Sequence, residues 1–172
     1  MRTTHVVVLP YDPKWNEDFS AIRAELEAAM GELALRIEHV GSTSVEGMSA
    51  KPCIDVDVVI PDRTCLKAAI ERLASIGYVH EGNLGIEGRE AFCYTSKPHL
   101  QLHHLYVCPA DSEELRRHIT FREFLRQNPD AVKQYSRVKE QAARRFPDDI
   151  ERYLEYKSPC IAELYRMCGL ED

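Results

Sequence analysis

The segment CIDVDVVI, residues 53–60, most constrains this chain: a run of strand-forming apolar residues carries two carboxylates, Asp55 and Asp57. Side chains two positions apart on a strand share a face, so these acids project together, about 7 Å apart at the backbone, while Ile54, Val56 and Val58 point the other way. Asp is disfavoured in strands, and like charges brought close raise each other's pKa, so the pair needs either open water or a divalent cation. Mg²⁺ takes hard oxygen ligands, usually one or two carboxylates plus substrate phosphates, and a metal pair about 4 Å apart stabilises both oxygens of an in-line phosphoryl displacement. A solvated face is the more frequent fate of an isolated D-x-D, so the surrounding sequence has to decide.

That sequence reads as α+β. VVVL at residues 6–9 has the content of a short strand. Asp12-Pro13 supplies an N-cap followed by Pro at the first helical position. Trp15, Phe19, Ile22, Leu26 and Met30 then recur at spacings of three and four, which lays an apolar stripe along a helix that Gly31 ends. LALRIEHV predicts a strand running into the small-residue loop GSTSVEGMSAKP, and the acidic strand follows. Leu66, Ala69, Ile70, Leu73 and Ile76 predict a second helix between Asp62 and Gly77, and YVHE, EAFCYTS and LQLHHLYV predict three short strands around the turn glycines 82, 85 and 88. From Ser112 onward only helical patterning remains (Leu115, Ile119, Phe124, Leu125), with further caps expected at Asn128-Pro129 and Ser158-Pro159. We expect a single domain over residues 1–172: an α/β core at 1–110 and a helical part at 111–172, packed onto the sheet because the connection near Pro109 is short.

The 172 residues, 44% hydrophobic and 29% charged, suit one core. A net charge of -6 argues against a general affinity for nucleic acid or anionic membrane, which need a cationic surface. No stretch has the roughly 20 apolar residues that span a bilayer, and the N-terminus lacks a signal-peptide pattern, so the expected location is the cytoplasm. The six cysteines contain no C-x-x-C pair and read as reduced thiols. Charge is uneven: residues 116–145 hold nine Lys or Arg against three Asp or Glu. Most of these read as a solvated helix face.

Context favours the metal reading of Asp55 and Asp57. Gly41-Ser42 closes a predicted strand just ahead of them, and such a turn offers N–H groups and a hydroxyl to a phosphate. The string EHVGSTSVEGMSAKPCIDVDVVI resembles the signature of the GrpB-like proteins, a branch of the polymerase-beta-type nucleotidyltransferase superfamily marked by Gly-Ser, a spacer and D-x-D on the next strand. HHLYV, FREFLRQNPDAVKQYSRVKEQAARRF and YLEYKSPCI are similar to later motifs of that family in the same order, so the resemblance covers nearly the whole chain.

The resemblance implies a nucleotidyltransferase-like mixed sheet with flanking helices, Gly41 and Ser42 at a triphosphate, and Asp55 and Asp57 at Mg²⁺ or Mn²⁺. It names no substrate, although a related domain fused to dephospho-CoA kinase in some bacteria points toward nucleotide or cofactor metabolism. Where the wider superfamily places a third carboxylate, LQLHHLYV offers only His104, whose neutral imidazole could serve as base or metal ligand. Where the family often has His-x-His, this chain has His104-Leu105-Tyr106. His103 faces the opposite side of the strand, and His39 either touches substrate or braces the loop. Lys51, Arg122, Arg126, Lys139 and Lys157 are the expected phosphate contacts, with Lys51 alternatively pairing with Asp57 and Lys157 alternatively closing a helix before Ser158-Pro159.

The leading expectation is a Mg²⁺-dependent nucleotidyltransferase that moves a nucleoside monophosphate from an NTP to a small acceptor. The alternatives are an inactive nucleotide- or ligand-binding module of the same fold and a metal-dependent phosphodiester hydrolase. Nucleic acid and membrane are not expected partners, and the sequence does not fix an oligomeric state, a homo-oligomer included.

Overall fold

The alternation along residues 54–60 divides the molecule into two faces. The protein, described over residues 5–170 in a computed structural model, places its elements in the order α1 (Lys14–Met30), β1 (Arg36–Val40), β2 (Ile54–Ile60), α2 (Leu66–Ala74), β3 (Val79–Gly82), β4 (Glu90–Cys93), β5 (His103–Pro109), α3 (Glu113–Gln127), α4 (Pro129–Arg145) and α5 (Ile150–Met167). The sheet runs β1-β2-β5-β4-β3, and only the central β2–β5 pair is parallel. It is a mixed sheet in an α+β fold, as expected.

On one face Ile54, Val56, Val58 and Ile60 join Leu105 and Val107 beneath α1 and α2, whose Trp15, Phe19, Ile22, Leu26, Met30, Ala69 and Leu73 complete the main core. Burying each large apolar side chain there contributes roughly 1.5–3 kcal/mol. The helix stripe read from the sequence is the buried stripe of α1, and Gly31 ends it with φ 55° and its N–H on the Glu27 carbonyl. Asp12 caps the start, its Oδ1 accepting from the Lys14 N–H at 2.9 Å. On the other face Val59 and Cys108 pack under Leu115 and Ile119 of α3, which Ser112 caps by accepting from the Leu115 N–H. Asp55, Asp57, His104 and Tyr106 occupy the rest of that face, since Asp55 pairs with His104 and Asp57 with Tyr106 in the β2–β5 register.

The helical part also packs onto the loop between β1 and β2. Val45 and Met48 of that loop are buried with Leu125, Val132, Tyr135, Cys160 and Leu164.

Three expectations need correction. VVVL is not a strand: Leu9 makes a single bridge to Ala50, and Val6 gives its N–H to the Pro147 carbonyl and packs with Ala142 and Tyr153, away from any sheet edge. The strand read from LQLHHLYV begins only at His103. Ser158-Pro159 starts no helix, because Pro159 lies inside α5, which begins after Asp149 caps the Arg152 N–H. The stripe Tyr153, Cys160 and Leu164 buries one side of α5 across the proline, whose own ring is exposed, so apolar packing outweighs one lost backbone hydrogen bond. Lys157 therefore sits mid-helix and closes no terminus.

Candidate functional site

The turn after β1 is built against the acids. Gly41 has φ 74°, and a Cβ placed on it would overlap the Asp55 carboxylate, so only glycine lets this turn and β2 approach so closely. A single 3₁₀ turn, Ser42–Ser44, follows, with the Ser44 hydroxyl donating to the Gly41 carbonyl. His39 braces it from beneath: its Nε2 is 2.9 Å from Thr43 Oγ1 and its ring stacks on Phe19. Burial pushes the His39 pKa down to about 4, so it stands as a neutral ring. Arg122 donates to Glu38 at 2.7 Å and to the His39 carbonyl at 3.0 Å, and Arg126 donates twice to the Ser44 carbonyl. Both arginines, expected at phosphate, are engaged in clamping α3 to this turn.

Asp57 is completely buried. Its Oδ2 is 2.6 Å from His118 Nδ1 on α3, and His118 Nε2 lies 3.2 Å from Glu114. Burial raises the Asp57 pKa even against the histidine. For His118, burial acts downward, yet the hydrogen bond and charge of Asp57, with Glu114 and Asp55 behind them, raise its pKa overall. Asp57 Oδ1 is buried with no hydrogen-bond partner among the described residues. Asp55 meets His104 Nδ1 through Oδ1 at 3.1 Å. That bond, followed by the neighbouring Cys53, pushes the His104 pKa up to about 10. His104 does stand beside the acids, where the sequence placed it, and its hydrogen bond to Asp55 favours the protonated ring. His103 points to the other face, bonded to the Tyr78 hydroxyl and the Gln101 carbonyl.

Each acid thus spends one oxygen on a histidine and keeps another. Among the described residues no group of three or more His, Cys, Asp or Glu is arranged to hold a metal ion. Two carboxylate oxygens, one buried and unpartnered, suit a hard cation that completes its shell with water and phosphate, the habit of Mg²⁺ and Mn²⁺.

Three lysines gather on the β1 side. Lys139 of α4, only 2% exposed, donates from Nζ to Ser42 Oγ at 2.8 Å and lies 4.3 Å from the Tyr135 ring centre. Lys157 of α5 and Lys51 before β2 lie 5.0 and 5.6 Å from the Tyr153 ring centre. Burial, then the neighbouring lysines, holds Lys139 well below the ordinary lysine range and brings Lys157 down to about 8, while Asp55 acts in the opposite direction on both. Among the described residues none of these ammonium groups has a carboxylate at salt-bridge distance. Mutually repelling, poorly hydrated cations of this kind are stabilised by a polyanion.

Sequence reasoning missed His118 and Arg89. The one signal for His118 was Glu114, four residues earlier on the same helical face. Arg89, whose guanidinium lies 4.4 Å from the Tyr106 ring centre, gave none.

Comparison with known proteins finds relatives over nearly the whole chain. The chain is 31% identical over 156 residues to the UPF0157 protein YqkA of Bacillus subtilis, covering 91% of this chain but 45% of that one. It is 34% identical to the UPF0157 protein PA4798 of Pseudomonas aeruginosa, covering 92% and 66% of the two chains. Glutamate-rich protein GrpB of Alkalihalophilus pseudofirmus is 31% identical over 92% of this chain and 93% of its own. The chain therefore spans about half to two thirds of the first two relatives and nearly all of the third. A dephospho-CoA kinase of Mycolicibacterium paratuberculosis is 27% identical over 45% of its length. The crystal structure of the conserved protein GrpB from Enterococcus faecalis superposes with a TM-score of 0.82 at 32% identity, covering 94% of this chain and 96% of that one. The Cid1 poly(U) polymerase bound to MgGTP shares only the fold, with a TM-score of 0.56 at 12% identity over 80% of this chain and 45% of that one. The family described as GrpB protein matches residues 5–167, and this chain belongs to it.

Proposed function

We propose that this chain is a Mg²⁺-dependent nucleotidyltransferase, with Mn²⁺ as a substitute, moving a nucleoside monophosphate from an NTP to a small acceptor. The observation that carries the reading is the juxtaposition, at one turn, of the unpaired lysines and the acids: Lys139 holds Ser42, while the same turn presses Gly41 against Asp55. Polyphosphate chemistry needs cations for the leaving group and hard oxygens for its metal within one site. The Cid1 structures with MgGTP and with Mg 3′-dATP support the reading by their fold.

On this proposal Ser42 and Lys51, Lys139 and Lys157 hold the β- and γ-phosphates, and Asp55 and Asp57 would hold the metal. A bound Mg²⁺ supplies charge neutralisation at the phosphates. The acceptor oxygen bonds to the α-phosphorus as the bridging α–β P–O bond breaks, pyrophosphate leaves, and the proton of a hydroxyl acceptor passes to water. His104 and His118 orient Asp55 and Asp57, and Arg122 and Arg126 fix the turn, so none of these four is assigned a phosphate.

One observation favours a second reading, nucleotide binding without turnover: the position beside Asp55 that could carry a third carboxylate carries His104, already engaged. Isothermal titration with each NTP, with Mg²⁺ or with a chelator, tests the common part. We expect metal-dependent binding that Asp55→Asn with Asp57→Asn weakens about a hundredfold, since each charged contact is worth about 1.5–3 kcal/mol. Binding indifferent to metal and to the double variant would overturn it. Release of pyrophosphate from labelled NTP in the presence of extracted metabolites separates transfer from binding alone, and free nucleoside monophosphate as the product marks hydrolysis.

A further inference from the structure

The lysines occupy only one flank of the acids. On the other flank, Tyr106 lies beside Asp57 in the β2–β5 register, and Ala91 of β4 pairs with Tyr106. Arg89, just before β4, lays its guanidinium over the Tyr106 ring at 4.4 Å. The residue before it is held in place: the Ser112 hydroxyl donates to the Gly88 carbonyl at 2.7 Å, and a Cβ on Gly88, whose φ is 79°, would crowd that hydroxyl. Arg63, Arg72, Arg116, Arg122 and Arg126 each close on a carboxylate or a carbonyl. The Arg89 side chain closes on neither among the described residues, and its buried Nε has no hydrogen-bond partner.

Resting on the transferase reading above, we propose that Arg89 on Tyr106 is an acceptor subsite that binds an oxyanion, phosphate or carboxylate, carried by the small acceptor. A guanidinium offers a planar fork of donors matched to such groups, and stacking on an aromatic ring holds the fork in place before the ligand arrives. In-line transfer places donor and acceptor on opposite flanks of the phosphorus that moves. The lysine flank, reached from α4, α5 and Lys51, takes the triphosphate, and the Arg89 flank, on β5 and β4, takes the other reactant. Asp57 lies between them and feels the charge of Arg89.

The test is calorimetric titration of the full chain, its lysine flank filled with saturating tripolyphosphate and Mg²⁺, with glycerol phosphate, glycerate and glycerol. The two anions should bind and glycerol should not, and the stronger anion names the acceptor's group. Arg89→Gln should weaken anion binding at least about tenfold, the worth of a charge-assisted hydrogen bond, with Arg89→Lys recovering part of the loss. Both variants should keep the tripolyphosphate affinity, which reports that they are folded and that the flanks are separate. Equal anion affinity in Arg89→Gln, or glycerol binding as well as the anions, overturns the subsite and leaves Arg89 a mere counter-charge for Asp57. Failure of tripolyphosphate to bind overturns the transferase reading instead, and the same anion titrations without it still decide Arg89.

Discussion

Lys139 shows how a single residue can be wrong for the fold and right for a ligand. It is 2% exposed, bonded only to a neutral hydroxyl, and its charge is disfavoured by burial. Replacing it with Met keeps the apolar stem and removes the charge. Lys139→Met should therefore stabilise the ligand-free chain by about 1–3 kcal/mol in urea unfolding while weakening tripolyphosphate binding about tenfold or more. A variant that loses both properties would make Lys139 a structural residue. His39 makes the converse case, since its neutral ring is required under the turn. Its folded pKa of about 4 lies below the unfolded 6.5, so its contribution is complete above pH 6.5 and is lost as pH falls toward 4. The stability deficit of His39→Phe should accordingly shrink with acidification over that window, by about 3 kcal/mol at most. A deficit that stays constant in urea titrations between pH 7 and 4 would show that His39 titrates normally.

Among the elements, α5 is the one whose sequence misleads. Pro159 removes the N–H that would reach the Glu155 carbonyl, yet the helix continues from Ile150 to Met167. Pro159→Ala restores that bond at an exposed position and should raise stability by about 1–3 kcal/mol without moving nucleotide affinity. A destabilised variant would mean that the proline ring itself is packed. The reason α1 and β2 were legible from sequence and α5 was not lies in range. The stripe Trp15, Phe19, Ile22, Leu26 and Met30 and the alternation from Ile54 to Ile60 are local periodicities. The start of α5 depended on a choice between two caps, Asp149 and Ser158, that only the buried stripe through Cys160 decides. The candidate site divides in the same way. Asp55, Asp57, Gly41 and Ser42 announce themselves in one short segment, whereas His118 reaches Asp57 across 61 positions and Arg89 meets Tyr106 from the loop before β4, contacts that no local pattern encodes.

At the scale of the whole molecule, the sheet and the helical part share their critical contacts. Arg122 ties α3 to β1, Arg126 and Lys139 tie α3 and α4 to the turn, and Val45 and Met48 are buried among α3, α4 and α5. We predict that the two parts melt together. Trp15 fluorescence, which reports on α1 packed against the sheet, and far-UV circular dichroism, which is weighted toward the helices, should give coincident urea transitions. Two resolved transitions would make residues 111–172 a separate folding unit. The bond between Asp57 and His118 adds a constraint on how the chain is made. β2 leaves the ribosome well before α3, so during synthesis the most deeply sequestered acid waits without the imidazole that shields it.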